Sequence, residues 1–171
     1  MTRKCGYCAA LMSFIFLCLP VQARAQKLVF VVRHAERADV GGSQMLGQPD
    51  PPLSAAGKMR AARLAVMLGD AGIKAIFATE FRRTQDTAGP LATRLGLTVQ
   101  KLPAGGTADL ISRLRKEHAE DILLVVGHSN TVPAIIKALG GPDVTIAEDE
   151  YDNLFVIVPG TGTMTRIRFA P

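Results

Sequence analysis

Two histidines far apart in the chain, each behind an aliphatic run, are the residues best placed to do chemistry. Arg33-His34 follows Leu28-Val29-Phe30-Val31-Val32, and Gly127-His128-Ser129 follows Ile122-Leu123-Leu124-Val125-Val126. Imidazole at neutral pH can serve as nucleophile, base or charged donor. Guanidinium supplies a forked cation that matches phosphate geometry. Arg33 is joined by a second arginine in Phe81-Arg82-Arg83-Thr84-Gln85-Asp86-Thr87-Ala88. Phosphoryl transfer needs a nucleophile in line with phosphorus and cations around the equatorial oxygens, and the rest is positioning. Singly these residues are ordinary: a histidine after a strand is commonly structural, and Arg82-Arg83 alone reads as a solvated helix face. Together they predict an anion site with a histidine nucleophile. The third histidine, in Arg115-Lys116-Glu117-His118, is expected on the surface.

The elements around these residues must bring them together. Continuous aliphatic runs read as buried strands of a parallel sheet, and open α/β sheets bind ligands beyond the carboxyl ends of their strands. Strands are predicted over 27–32, 73–78, 98–101, 121–126, 154–158 and 164–169, the last two joined by a Gly-Thr-Gly hairpin turn. A helix is expected from Ser54, its cap, to Gly69, with Ala61, Leu64, Ala65 and Leu68 on one apolar face. Further helices are expected over about 83–95, kinked at Gly89-Pro90, from a Thr107 cap to about 118, and over 131–139 with Pro133 in the first turn. The start of this last helix, after Gly127-His128-Ser129-Asn130, offers free backbone N–H groups to an anion. Alternation without repeats or linkers predicts a single α/β domain.

The ends and the composition narrow the function classes. Arg3 and Lys4, an apolar stretch over 7–19 and Ala23-Arg24-Ala25 have the layout of a secretory signal peptide, with an apolar core short for a membrane span. A signal peptide over 1–25 and a mature domain over 26–171, exported to the periplasm or secreted, are therefore expected, with no stable membrane span after processing. All three cysteines, Cys5, Cys8 and Cys18, fall before residue 26, so the mature chain has no disulfide, zinc knuckle or thiol nucleophile. Of 20 basic residues Arg3, Lys4 and Arg24 lie in the leader; the remaining 17 face 15 acidic ones, a net of +2. No basic run remains, which argues against nucleic-acid binding.

Four ordered motifs resemble those of the histidine phosphatase superfamily, the phosphoglycerate-mutase-like phosphatases, over 28 to about 158. Arg33-His34-Ala35-Glu36 matches the family's Arg-His-Gly/Ala-Glu signature. Pro52-Leu53-Ser54-Ala55-Ala56-Gly57 resembles its Leu-Ser/Thr-x-x-Gly helix opening. Thr79 to Ala88 resembles its Ser-x-x-x-Arg-x-x-x-Thr-Ala block, with the arginine on Arg83, and Val126-Gly127-His128-Ser129 matches its second histidine signature. The resemblance implies a three-layer αβα sandwich around a mostly parallel sheet, phosphoglycerate mutase-like and in a single domain. It implies a phosphohistidine on His34, with Arg33, Arg83 and His128 holding the phosphoryl oxygens, and neither metal nor cofactor. The family's proton-donating glutamate has no counterpart in the short interval before His128, and Ser129-Asn130 replaces the His-Asp pair of the acid phosphatase branch. Glu36 and Asp109 are the candidate acids, and a leaving group of low pKa would need none.

These readings imply an exported, metal-independent phosphatase acting on a small phosphorylated substrate or an envelope sugar phosphate. Three others compete: a phosphohistidine-protein phosphatase, a non-catalytic phosphoanion-binding protein using the same pocket, and a metal-dependent hydrolase using His34 and His128. Specificity is expected in the loops over 38–52 and 103–109 and in the acidic stretch over 148–152.

Overall fold

The computed structural model describes residues 28–38 and 50–170. The expected signal peptide over 1–25 and most of the 38–52 loop lie outside them. Leu28–Arg33 forms strand β1, followed by helix α1 (Ala55–Leu68), β2 (Ile73–Thr79), α2 (Arg82–Leu95) and β3 (Val99–Leu102). Then come α3 (Thr107–Glu117), β4 (Ile122–Gly127), α4 (Thr131–Ala138) and the hairpin β5 (Asn153–Val158) and β6 (Thr163–Arg168). One sheet takes the order β3-β2-β4-β1-β5-β6. The first four strands run parallel, and β5 and β6 pair antiparallel.

Alternation along the strands builds a core on each face of the sheet. Val29, Val31, Phe77, Leu123, Val125 and Phe155 pack on one side against Leu110 and Leu114 of α3 and Val132 and Ile136 of α4. Phe30, Val32, Ile76, Leu124, Val126 and Leu154 pack on the other against Leu64 and Leu68 of α1 and Leu91 of α2. The result is three layers, helix–sheet–helix. Each of these buried side chains stabilises the fold by about 1.5–3 kcal/mol. No described helix is long and apolar enough to cross a membrane.

Local sequence explains most boundaries. Ser54 accepts from the Gly57 N–H and starts α1. Gly57 is there because a Cβ would collide with the Glu36 carbonyl, where α1 closes on the loop after β1. Thr107 does not cap α3, in contrast to the expectation. A turn from the Gly106 N–H to the Pro103 carbonyl (2.8 Å) puts Gly106 in the capping position, and the Gly106 carbonyl accepts from Leu110. α2 runs unbroken through Pro90, and β6 ends one residue before Phe169, whose N–H donates to the Asp152 carbonyl.

Candidate active site

The two histidine-bearing strands are the two central ones, and their register sets the site. β1 and β4 pair with Arg33 beside Gly127, and the His34 N–H donates to the Gly127 carbonyl at 2.9 Å. Both imidazoles therefore leave the sheet at one level, with ring centroids 5.3 Å apart. Gly127 is required there: a Cβ would stand 2.8 Å from the Thr131 Oγ1 that accepts from the His128 N–H. Arg33, His34, Arg37, Phe81, Arg83, His128, Ser129 and Glu148 are among the residues lining one cleft of about 220 Å³.

His34 is buried, and its Nδ1 lies 2.8 Å from the Ala35 carbonyl. A carbonyl can only accept, so the neutral ring carries its proton on Nδ1 and keeps a lone pair on Nε2. Burial, reinforced by His128, Arg33 and Arg83, lowers its pKa to about 3 against the opposing pull of that carbonyl. At neutral pH the ring is an uncharged nucleophile. Thr87 braces it, accepting from the Ala35 N–H (2.9 Å) and donating to the Arg83 carbonyl (2.7 Å). One hydroxyl thus ties the nucleophile's loop to the helix that carries the second arginine.

His128 is held by its other ring nitrogen. Nε2 lies 2.9 Å from Thr79 Oγ1, which lies 2.8 Å from Thr84 Oγ1. Thr84 has a single hydroxyl proton and faces the Phe81 carbonyl at 2.7 Å. The network is satisfied when His128 Nε2–H donates to Thr79, Thr79 to Thr84, and Thr84 to the Phe81 carbonyl. The neutral ring then keeps its lone pair on Nδ1. Burial first, then Arg83, lower its pKa to about 4. A bound phosphoryl dianion reverses that balance and favours the imidazolium, which can donate to an oxygen.

The arginines are packed rather than loose. Arg33 NH1 donates to three backbone carbonyls, of Ala147 (2.8 Å), Glu148 (3.0 Å) and Glu150 (3.2 Å). Its NH2 pairs with the Glu148 carboxylate at 3.1 Å, and its plane lies over the Tyr151 ring at 4.1 Å. One guanidinium nitrogen is thus committed to structure. Nε, buried and without a hydrogen-bonding partner, and NH2 remain to meet a ligand. Arg83 lies over Phe81 at 4.2 Å, with NH1 3.4 Å from Asp50. Arg82 instead points outward and pairs with Asp86.

The candidate acids behave differently from the expectation. Glu36 makes an ion pair with Arg60, three contacts of 2.7–3.0 Å, and Arg60 also donates to the Phe169 carbonyl. Arg60 keeps that carboxyl ionised, below its ordinary pKa despite burial, and it does not line the cleft. Asp109 stands exposed in the first turn of α3, also away from the cleft. Neither carboxylate therefore lines the cleft beside the two histidines. His118 is half-buried rather than solvated, bonded to Asp121 at 2.9 Å and edge-on to Phe77. Glu148, Arg37 and Tyr151 line or brace the cleft without having been singled out. Glu148 and Tyr151 were visible only as members of an acidic stretch, whose fold back onto Arg33 has no signal in the chain.

Comparison with known proteins agrees with this geometry. The model of the histidine phosphatase superfamily (branch 1) matches residues 29–104. The glucosyl-3-phosphoglycerate phosphatase of Mycobacterium tuberculosis is 36% identical over 98 residues, 57% of this chain and 40% of that protein. The protein histidine phosphatase SixA in complex with tungstate superimposes with a TM-score of 0.62 at 18% identity, over 82% of this chain and 94% of that one. The mycobacterial glucosyl-3-phosphoglycerate phosphatase with VO3 gives a TM-score of 0.57 at 19% identity, over 76% and 90% of the two chains. Over residues 29–104, fewer than half of its 171 residues, the chain is similar to the histidine phosphatase superfamily, and its fold is that of solved histidine phosphatases. The matched stretches span 33% to 40% of the curated relatives' lengths.

Proposed function

We propose that this protein is an exported phosphatase that hydrolyses a small phosphomonoester, such as an envelope sugar phosphate, through a phosphohistidine on His34. The bare Nε2 of a neutral, buried His34, facing two arginines and a second histidine in one cleft, carries the reading. Nε2 attacks phosphorus, the Nε2–P bond forms, and the P–O bond to the leaving group breaks with its electron pair on oxygen. Arg33, Arg83 and His128 hold the non-bridging oxygens as charge spreads over them. Water then attacks the phosphohistidine and releases phosphate and His34. Relatives named for phosphatase activity, and solved structures of the fold holding tungstate or VO3, support an oxyanion in this cleft. Export rests on the leader-like sequence of residues 1–25.

The test is single-turnover hydrolysis of p-nitrophenyl phosphate by the 26–171 chain, quenched in alkali to preserve phosphohistidine. The expected result is an acid-labile phosphoryl group on His34 that rises and decays within the turnover, absent from His34→Ala. Phosphate binding without turnover would instead assign a phosphoanion sensor.

A further inference from the structure

Glu148 is the only carboxylate lining the cleft among the described residues, and its place there is built. Oε1 accepts from the Ser129 hydroxyl at 2.8 Å, and Oε2 meets Arg33 NH2 at 3.1 Å. The backbone beneath it is fastened by the three carbonyl contacts to Arg33 NH1. Glu150 and Asp152 pin the same segment to Arg166 and Arg168 of β6. The carboxylate itself is open to solvent, its side chain 86% exposed, whereas His34 beneath is only 4% exposed.

That difference in depth matters for an in-line displacement. With His34 attacking from the buried floor, the leaving oxygen departs on the opposite side of phosphorus, toward the mouth. Glu148 stands at that mouth. We propose that Glu148 is the proton donor to the leaving group and, in the second half of the reaction, the base that activates water. The proposal rests on the phosphohistidine reading above. In the first step the Glu148 carboxyl proton passes to the departing oxygen as the P–O bond breaks. In the second, the carboxylate takes a proton from water as water's oxygen bonds phosphorus and the Nε2–P bond breaks.

In the unliganded site Ser129 and Arg33 keep the carboxylate ionised. A phosphoryl group that takes over Arg33 NH2 loosens that hold and brings a neighbouring anion, and both changes favour the protonated acid. Ser129 remains as the tether, so the carboxyl stays over the cleft. The acid thus comes from the segment after the second histidine, not from an insertion before it.

The experiment compares Glu148→Gln with wild type on p-nitrophenyl phosphate, whose leaving group needs little protonation, and on glycerol phosphate, whose alkoxide needs a full proton. By rapid quench, a proton donor predicts that phosphohistidine formation slows roughly 10²-fold more on the alkyl ester than on the aryl ester, while the shared hydrolysis step slows equally for both. It also predicts that added formate restores phosphohistidine formation by Glu148→Ala on the alkyl ester alone, a readout that a merely structural role does not move. Equal slowing of phosphohistidine formation on both esters, no slowing on either, or a wild type that cleaves only the aryl ester overturns the assignment. A wild-type chain that forms no phosphohistidine and turns over neither ester overturns the phosphatase reading itself, and is recognised by that missing intermediate.

Discussion

At the end of β1, His34 hangs from a backbone carbonyl through Nδ1. At the neighbouring end of β4, His128 is tied through Nε2 to a pair of threonine hydroxyls. The rings emerge at the same level, are both buried and are both neutral in the free protein. A carbonyl only accepts, so His34 is locked with its nucleophilic nitrogen bare. His128 likewise keeps its proton on the tethered Nε2, so a bound phosphoryl dianion can bring a second proton onto Nδ1 without breaking the tether. Fixing the attacker and leaving the stabiliser adjustable suits a reaction in which charge develops on phosphoryl oxygens but the nucleophile must stay aligned.

Replacing each histidine by alanine should separate these roles most strongly. His34→Ala should abolish the phosphoenzyme and lower kcat by more than roughly 10³-fold. His128→Ala should still form it, with a loss of roughly 10²- to 10³-fold. Rapid-quench measurement of the two variants decides, and loss of the intermediate in both would erase the contrast.

Glu36→Gln tests whether the carboxyl beside the nucleophile takes part in the chemistry. It breaks a largely buried pair with Arg60 and should cost about 3 kcal/mol of stability, read from urea unfolding. The kcat of the folded variant should stay within about twofold of wild type; a larger fall would return Glu36 to the site. Thr79→Val removes the hydroxyl that meets His128 while keeping its shape. It should lower kcat about tenfold at a cost to stability of about 1 kcal/mol, and move the His128 ring nitrogen shifts in NMR but not those of His34.

The gentlest effect is on pH. Both rings have pKa values lowered from 6.5, to about 3 and about 4, so below pH 6.5 the unfolded chain takes up protons that the folded one refuses. Their contribution to stability is therefore complete above that pH and declines as pH falls through the window down to about 3. Melting temperatures of wild type and His34→Gln between pH 7 and 4 should diverge in that sense. Parallel curves would mean that the His34 ring is not held neutral.

Much of this was legible because hydrophobic runs and glycines report on backbone. The aliphatic stretches before His34 and His128 gave strands β1 and β4, and Ser54 and Gly57 gave the start of α1. Thr107 misled because cap preference is local, whereas a turn from Pro103 moved the helix start. Glu36 misled for a different reason. Proximity in sequence to a nucleophile says nothing of which way a carboxyl turns, and Arg60, distant in the chain, decided it. Glu148 was hidden because its position depends on contacts across more than a hundred residues.

The clasp between Arg33 and the backbone at 147–150 has a consequence for biogenesis. The first arginine of the pocket is translated more than a hundred residues before the carbonyls that orient it. A nascent chain that has not yet emerged beyond that segment holds an unoriented guanidinium and an unshaped pocket. Competence therefore arrives abruptly, once the segment through residue 150 has emerged, and a product terminated before residue 147 should be inert however well its earlier strands assemble.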